Sequence, residues 1–135
     1  MRTILASILV DNQDKALKFY TEALGFIKKT EIPLGETKWL TVVAPEGPNE
    51  VEILLEPNWS TKIQIDGKPA AAEYQQILFN AGIPAAMFAV KDIEQTHLKL
   101  VESGVKFTQA PMQAGPVKIA TFDDTCGNLI RIVQK

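Results

Sequence analysis

Few side chains in this sequence are suited to chemistry, and their settings narrow the choice. Arg131 stands in "NLIRIVQ", a charge inside an otherwise apolar run. A buried arginine is costly unless it is paired or faces a cavity. Its forked donors match a carboxylate or a phosphate, and it cannot be deprotonated in a protein, so it suits an anion anchor and not a base or a metal ligand. Glu52 and Glu56 stand in "VEILLEP". Either could accept protons from a hydroxyl or amine, or act as a general base in a dry site. An internal pair of Arg131 with one of these glutamates is the competing structural role. His97 is the single histidine and lies in the helical stretch "QTHLKL", which predicts a packing or surface role. Cys126 is the single cysteine, and the adjacent Asp123 and Asp124 disfavour its thiolate, so it is expected to be a packed turn residue. No G-x-S-x-G, P-loop or dinucleotide-binding glycine pattern is present.

The composition sets the frame. The 135 residues, 46% hydrophobic and 22% charged with a net charge of −2, suit one globular domain. There is no basic stripe for nucleic acid and no apolar run of membrane-spanning length. Neither nucleic acid nor membrane is expected as a partner. One cysteine makes no internal disulfide, and the N-terminus lacks a signal-peptide pattern, so a cytoplasmic location is expected.

The elements that must hold these residues follow from periodicity. "TILASILV" (3–10) predicts a strand. Ala16, Leu17, Tyr20, Ala23 and Leu24 then recur at helical spacing, with Asp11 or Asn12 as the cap and Gly25 as the stop. Residues 26–34, 37–45 and 51–57 predict three strands, separated by "GE" and by the turn-rich "EGPNE". Residues 58–67 look polar and irregular, and 68–82 predict a helix with Pro69 near its start. The second half repeats the first: a strand at 85–90, a helix at 92–104 capped by Asp92, then "VKFTQAPMQ", "PVKIATFDD" and "NLIRIVQ" as strands. The chain is thus expected to be one α+β domain over 1–135, with module one at 1–57, a helical connector at 58–83 and module two at 84–135. Alternation puts Arg131 on one face with Leu129 and Val133, opposite Ile130 and Ile132. It puts Glu52, Leu54 and Glu56 opposite Val51, Ile53 and Leu55.

The repeat, together with Val10-Asp11, Phe19-Tyr20, Leu24-Gly25-Phe26 and the final Asp124-x-x-Gly127-Asn128 turn, resembles the vicinal oxygen chelate superfamily of glyoxalase I, bleomycin-resistance proteins and extradiol dioxygenases. The resemblance covers nearly the whole chain. It implies two tandem βαβββ modules whose curled sheets form a cup with helices outside, and it implies a homodimer. In metal-dependent members, four ligands, mostly His and Glu, come from the first and last strands of each module. Counting from the motifs puts those positions near Leu5, Leu54, Ala85 and Arg131. This set cannot hold a hard or borderline cation, so no metal and no cofactor are expected.

The resemblance therefore implies a cup that binds a small organic ligand, with Arg131, Glu52, Glu56, Trp39, Leu5, Ser7, Leu54, Ala85 and Met87 as lining residues. Trp39 and Met87 at a rim would suit a flat apolar ligand, or Trp39 would be core. Phe88 is expected in the core. Trp59 is a lid, an interface anchor or local packing. The leading expectation is a metal-independent binding protein of the antibiotic-resistance kind. The alternatives are a lyase or isomerase of the same fold with Glu52 or Glu56 as base, and an interaction protein with a filled cup.

Overall fold

In the computed structural model, residues 1–47 and 51–135 are described. Strand β1 (Leu5–Val10) leads into helix α1 (Gln13–Lys18), whose chain continues as a widened π turn over Phe19–Ala23. Strands β2 (Ile27–Leu34), β3 (Thr37–Val43) and β4 (Glu52–Pro57) complete the first set. The short strands β5 (Gln64–Ile65) and β6 (Lys68–Pro69) and helix α2 (Ala70–Asn80) follow. The second set is β7 (Ala86–Val90), α3 (Ile93–Glu102), β8 (Lys106–Ala114), β9 (Val117–Asp123) and β10 (Leu129–Gln134). The turn expected at 46–50 lies partly outside the described residues.

Local chemistry explains the boundaries. Asn12 caps α1 by accepting from the Lys15 amide at 2.9 Å, and Asp92 caps α3 by accepting from the Gln95 amide at 3.0 Å. Gly25 ends the first helix with φ of +80°, a conformation cheap only for glycine. The connector is more regular than expected. Asp66 and Gly67, with φ of +51° and +77°, turn β5 onto β6 as a tight hairpin.

Each half builds its own four-stranded sheet with the same order. Sheet A runs β1-β4-β3-β2 and sheet C runs β7-β10-β9-β8. In both, the first strand lies parallel to the last, and the other pairings are antiparallel. Among the described residues, β1 and β7 each have one sheet neighbour, which leaves their second edges without a strand partner there.

The core decides which face of each sheet is free. Ile8, Val10, Leu40, Val42 and Leu55 of sheet A and Ala120, Phe122, Ile130 and Ile132 of sheet C join Ala16, Tyr20, Ile93 and Leu100 of the helices in one buried cluster. Ring contacts cross between the halves, Phe19 to Phe122 at 6.2 Å and Phe26 to Phe88 at 5.1 Å between centroids. The two modules thus pack through their helix-bearing sides, and the opposite face of each sheet is left open. Among the described residues no helix is long and apolar enough to cross a membrane.

Candidate functional site

The two open faces carry equivalent rows of side chains. On sheet A the register sets Leu54 beside Ser7 and Thr41, and Thr41 beside Thr30. On sheet C it sets Arg131 beside Met87 and Thr121, and Thr121 beside Gln109. Leu54 and Arg131 are therefore equivalent positions of the two modules, as the motif counting expected. The first-strand counterparts shift by two residues. Leu5 pairs with Glu52, and Ala85 donates its amide to the Leu129 carbonyl, so Ser7 and Met87, not Leu5 and Ala85, stand level with Leu54 and Arg131. A shift of two keeps the same face of the strand, which is why periodicity could not fix it.

Arg131 is half-buried between Leu129 and Val133, both about 5–6% exposed, and beneath the buried Thr121. Its Nε donates to Thr121 Oγ1 at a long 3.4 Å, and Thr121 in turn donates to Gln109 Oε1 at 3.4 Å. Among the described residues no carboxylate pairs with it and no hydrogen bond is made by its terminal nitrogens. The glutamates are on the other sheet. Glu52 accepts from Thr41 Oγ1 at 2.6 Å, and Glu56 is exposed at the far end of β4. The competing structural role, an internal pairing of Arg131 with Glu52 or Glu56, is thus not made within the chain, because the helix-side packing turns their two faces apart.

The rest of the open faces is unusually apolar. Ile32 pairs with Trp39 on sheet A, and both are exposed, at 51% and 38%. Ile27 and Leu34 share that face with them. On sheet C, Met87 is 58% exposed and Met112 is exposed beside Ile119. Phe88, by contrast, points to the core side against Phe26, as expected. His97 also lies on the helix side, edge-on to Phe107 at 4.5 Å. Trp59 follows β4 in the connector and is exposed.

The sequence reading missed a buried polar network where the modules meet. Asp124, fully buried, accepts from the Tyr20 hydroxyl at 2.7 Å, from Asn128 Nδ2 at 2.7 Å, and from the amides of Cys126 and Asn128. Burial raises its pKa, opposed by these hydrogen bonds. Burial first, then the Asp124 charge, pushes the Tyr20 phenol well up. Gln75 of α2 reaches the same place. Its Nε2 donates towards Leu9 O, Asn128 Oδ1 and Cys126 O, and its Oε1 accepts from Asn58 Nδ2 at 2.6 Å. The signal in the sequence was the Asp-x-x-Gly-Asn turn itself; Gln75 is one of two adjacent glutamines in α2 and does not stand out. Cys126 is buried in this turn, and burial, with help from Asp124, pushes its thiol up to about 12, which leaves no thiolate for chemistry.

Two hollows border these faces and the core. A cleft of about 610 Å³ opens beside β7 between Leu24, Phe26, Phe88 and Lys99, and its floor includes the core residues Phe122 and Ile132. A smaller one of about 290 Å³ lies between α2 and the meeting ends of the open faces, bounded by Ser7, Leu9, Ala85 and Leu129.

The sequence matches the Glyoxalase/Bleomycin resistance protein/Dioxygenase superfamily over residues 4–132. The chain belongs to this superfamily. It is 51% identical to the Bacillus subtilis (strain 168) protein YurT over 135 residues, the full length of both. Among solved structures it is similar to UcmS2, with a TM-score of 0.82 and 29% identity, covering 98% of this chain and 97% of that one. It is also similar to TnmS3, an antibiotic binding protein from Streptomyces sp. CB03234, with a TM-score of 0.74 and 25% identity over 99% and 95% of the two chains. The resemblance implied a divalent cation for some members, and here the equivalent positions can be tested against that chemistry. Ser7, Leu54, Met87 and Arg131 offer one hydroxyl, one thioether, one hydrocarbon and one permanent cation. They do not make a donor set for zinc, nickel or manganese.

Proposed function

We propose that this chain is a metal-independent small-molecule binding protein of the glyoxalase/bleomycin-resistance type, with its ligand held against the open sheet faces. The observation that carries the reading is Arg131. A half-buried guanidinium without a carboxylate partner among the described residues, set among Met87, Thr121 and Leu129, has the chemistry of a recognition group and not of a structural pair. The exposed Trp39, Ile32, Met87 and Met112 add an apolar surface of the kind that marks a ligand or partner site. The likeness to an antibiotic binding protein supports the same reading.

A second copy of the chain completes the site in this reading. One face brings Arg131 and the other brings Glu52 and Glu56, so the open face of sheet A on one copy and of sheet C on the other are complementary in charge. The unpartnered edges of β1 and β7 would meet at the seam. The single cysteine, kept as a buried thiol, fits a cytoplasmic protein. The lyase or isomerase alternative has less support, since Glu52 is already engaged by Thr41 and Glu56 is exposed at a strand end, outside any dry pocket.

Thermal unfolding against a panel of divalent cations, amphipathic antibiotics, thiol conjugates and carboxylic acids tests the proposal. A ligand at a hundredfold excess over its Kd adds roughly 2.7 kcal/mol. For a chain of this size that is on the order of 6–15 °C. A shift with an organic compound and none with cations is expected. A shift with nickel, zinc or manganese would return a metal-dependent enzyme to the front.

A further inference from the structure

We infer that the ligand is an amphipathic anion: a flat apolar body carrying one carboxylate, sulfonate or phosphate group. The inference rests on the binding role proposed above and names the ligand's chemistry. Three features of sheet C carry it. Arg131 is the one charged residue in the row Met87–Arg131–Thr121–Gln109, and its terminal nitrogens are unengaged. Leu129 and Val133, almost fully buried on either side, strip water from the base of the guanidinium and leave its fork available. An anion docked there gains charge-assisted hydrogen bonds in a poorly hydrated setting, where they are strongest. Gln109 lies beyond Thr121, and the second N–H of its amide, the first being donated to Met112 Sδ, can donate to the same group. The surface beyond is apolar, with Met87 on one side and Met112 and Ile119 on the other, which suits a ring system and not a second charge. The equivalent row on sheet A, Ser7–Leu54–Thr41–Thr30, carries no cation, so the anion's place is on sheet C alone.

Two fluorescent probes separate the charge from the apolar body. 8-Anilinonaphthalene-1-sulfonate carries a sulfonate, and N-phenyl-1-naphthylamine is its neutral counterpart. Titrated into the folded protein, the sulfonate is expected to bind about tenfold to a hundredfold more tightly, as one charge-assisted contact to an arginine allows. Arg131→Leu should abolish that preference, bringing the sulfonate to no tighter than the neutral probe on the same variant, while Arg131→Lys keeps part of it. Far-UV circular dichroism confirms that each variant is folded. Equal binding of the two probes to the unmodified protein overturns the anion inference alone. That would also be the result if Glu52 or Glu56 of a second copy neutralised Arg131. A sulfonate preference that survives in Arg131→Leu places the anion elsewhere, with Lys91 and Lys99 in the cleft beside β7, and overturns it equally. Failure of both probes to bind would count against the binding surface itself.

Discussion

The hydroxyl of Tyr20 donates a 2.7 Å hydrogen bond to Asp124 across 104 residues of sequence. It joins the helix of one module to the last turn of the other. Both residues belong to the motifs that mark the superfamily resemblance, so the motifs record how the modules are held together and not how a ligand is bound. Asp124 has no exposed surface, and its four donors replace the water it has lost.

This bond gives a pH-dependent prediction. Tyr20→Phe leaves a buried carboxylate short of one donor and should cost about 1–3 kcal/mol at neutral pH. The Tyr20 bond lowers the Asp124 pKa, so it stabilises the charged form. That stabilisation is present above the folded Asp124 pKa and is lost as pH falls through it. The gap between wild type and Tyr20→Phe should therefore narrow on acidification in urea unfolding series. The net effect on Asp124 is a raised pKa, because burial outweighs its hydrogen bonds. Taken alone, that favours the protonated form: the stability it adds is fully present below the unfolded value of about 3.8 and is lost as pH rises through the folded one. A gap that stays constant from neutral pH to below that range would mean Asp124 is not the partner that matters.

Gly127 supplies a second test. It sits at φ of +101°, and a Cβ there would come within 2.7–2.9 Å of the Gln75 amide group. Gly127→Ala should destabilise by about 2–4 kcal/mol, from backbone strain and from displacement of a side chain that satisfies four partners. Adding Gln75→Ala removes the clash, so the double variant should lose less than the sum of the two singles. Strict additivity in denaturant titrations would show that the two residues do not meet.

Arg131→Leu should leave the fold as stable as before, or more so, because it removes a half-buried cation that has no charge partner among the described residues. Thermal unfolding without ligand measures this. A loss beyond about 1 kcal/mol would show that Arg131 is a structural residue and that its partner had been misread.

If a second copy covers the open faces, Met87→Glu should weaken self-association without unfolding the chain, since Met87 is exposed in the single chain. Sedimentation at micromolar concentration is expected to give twice the chain mass for the unmodified protein and a shift towards the single chain for the variant. An unmodified protein that sediments as a monomer contradicts the two-copy site.

Most of the fold was legible in the sequence, and the reason is its duplication. Gly25 and Gly104, Asn12 and Asp92, and the alternation in "EILLEP" and "LIRIVQ" each mark a boundary or a face locally, without tertiary information. The Asp66–Gly67 hairpin was legible too, from a dipeptide that favours φ above zero, but it lay in a stretch read as irregular. The site was legible only in part. The face of Arg131 follows from a period of two, and Thr121 follows from the same period on β9. The level of Ser7 and Met87 depends on strand register, which is set by pairings more than forty residues apart. The separation of Arg131 from Glu52 depends on which sides of the two modules pack together. Alternation says that a strand has two faces; it does not say which face meets the other half of the chain. The Gln75 network was hidden for the same reason, since a glutamine in a helix declares nothing until its four partners converge on it.

The central claim is that the ligand lies against the open sheet faces, on the side of Arg131. Backbone amide exchange, with and without the compound that stabilises the protein most, tests it directly. Protection is predicted in β10 around Arg131, in β9 around Thr121 and in β7 at Met87, together with β3 and β4 of sheet A. Protection confined to Leu24–Phe26 and to α3 around Lys99 would place the ligand in the helix-side cleft instead and contradict the account.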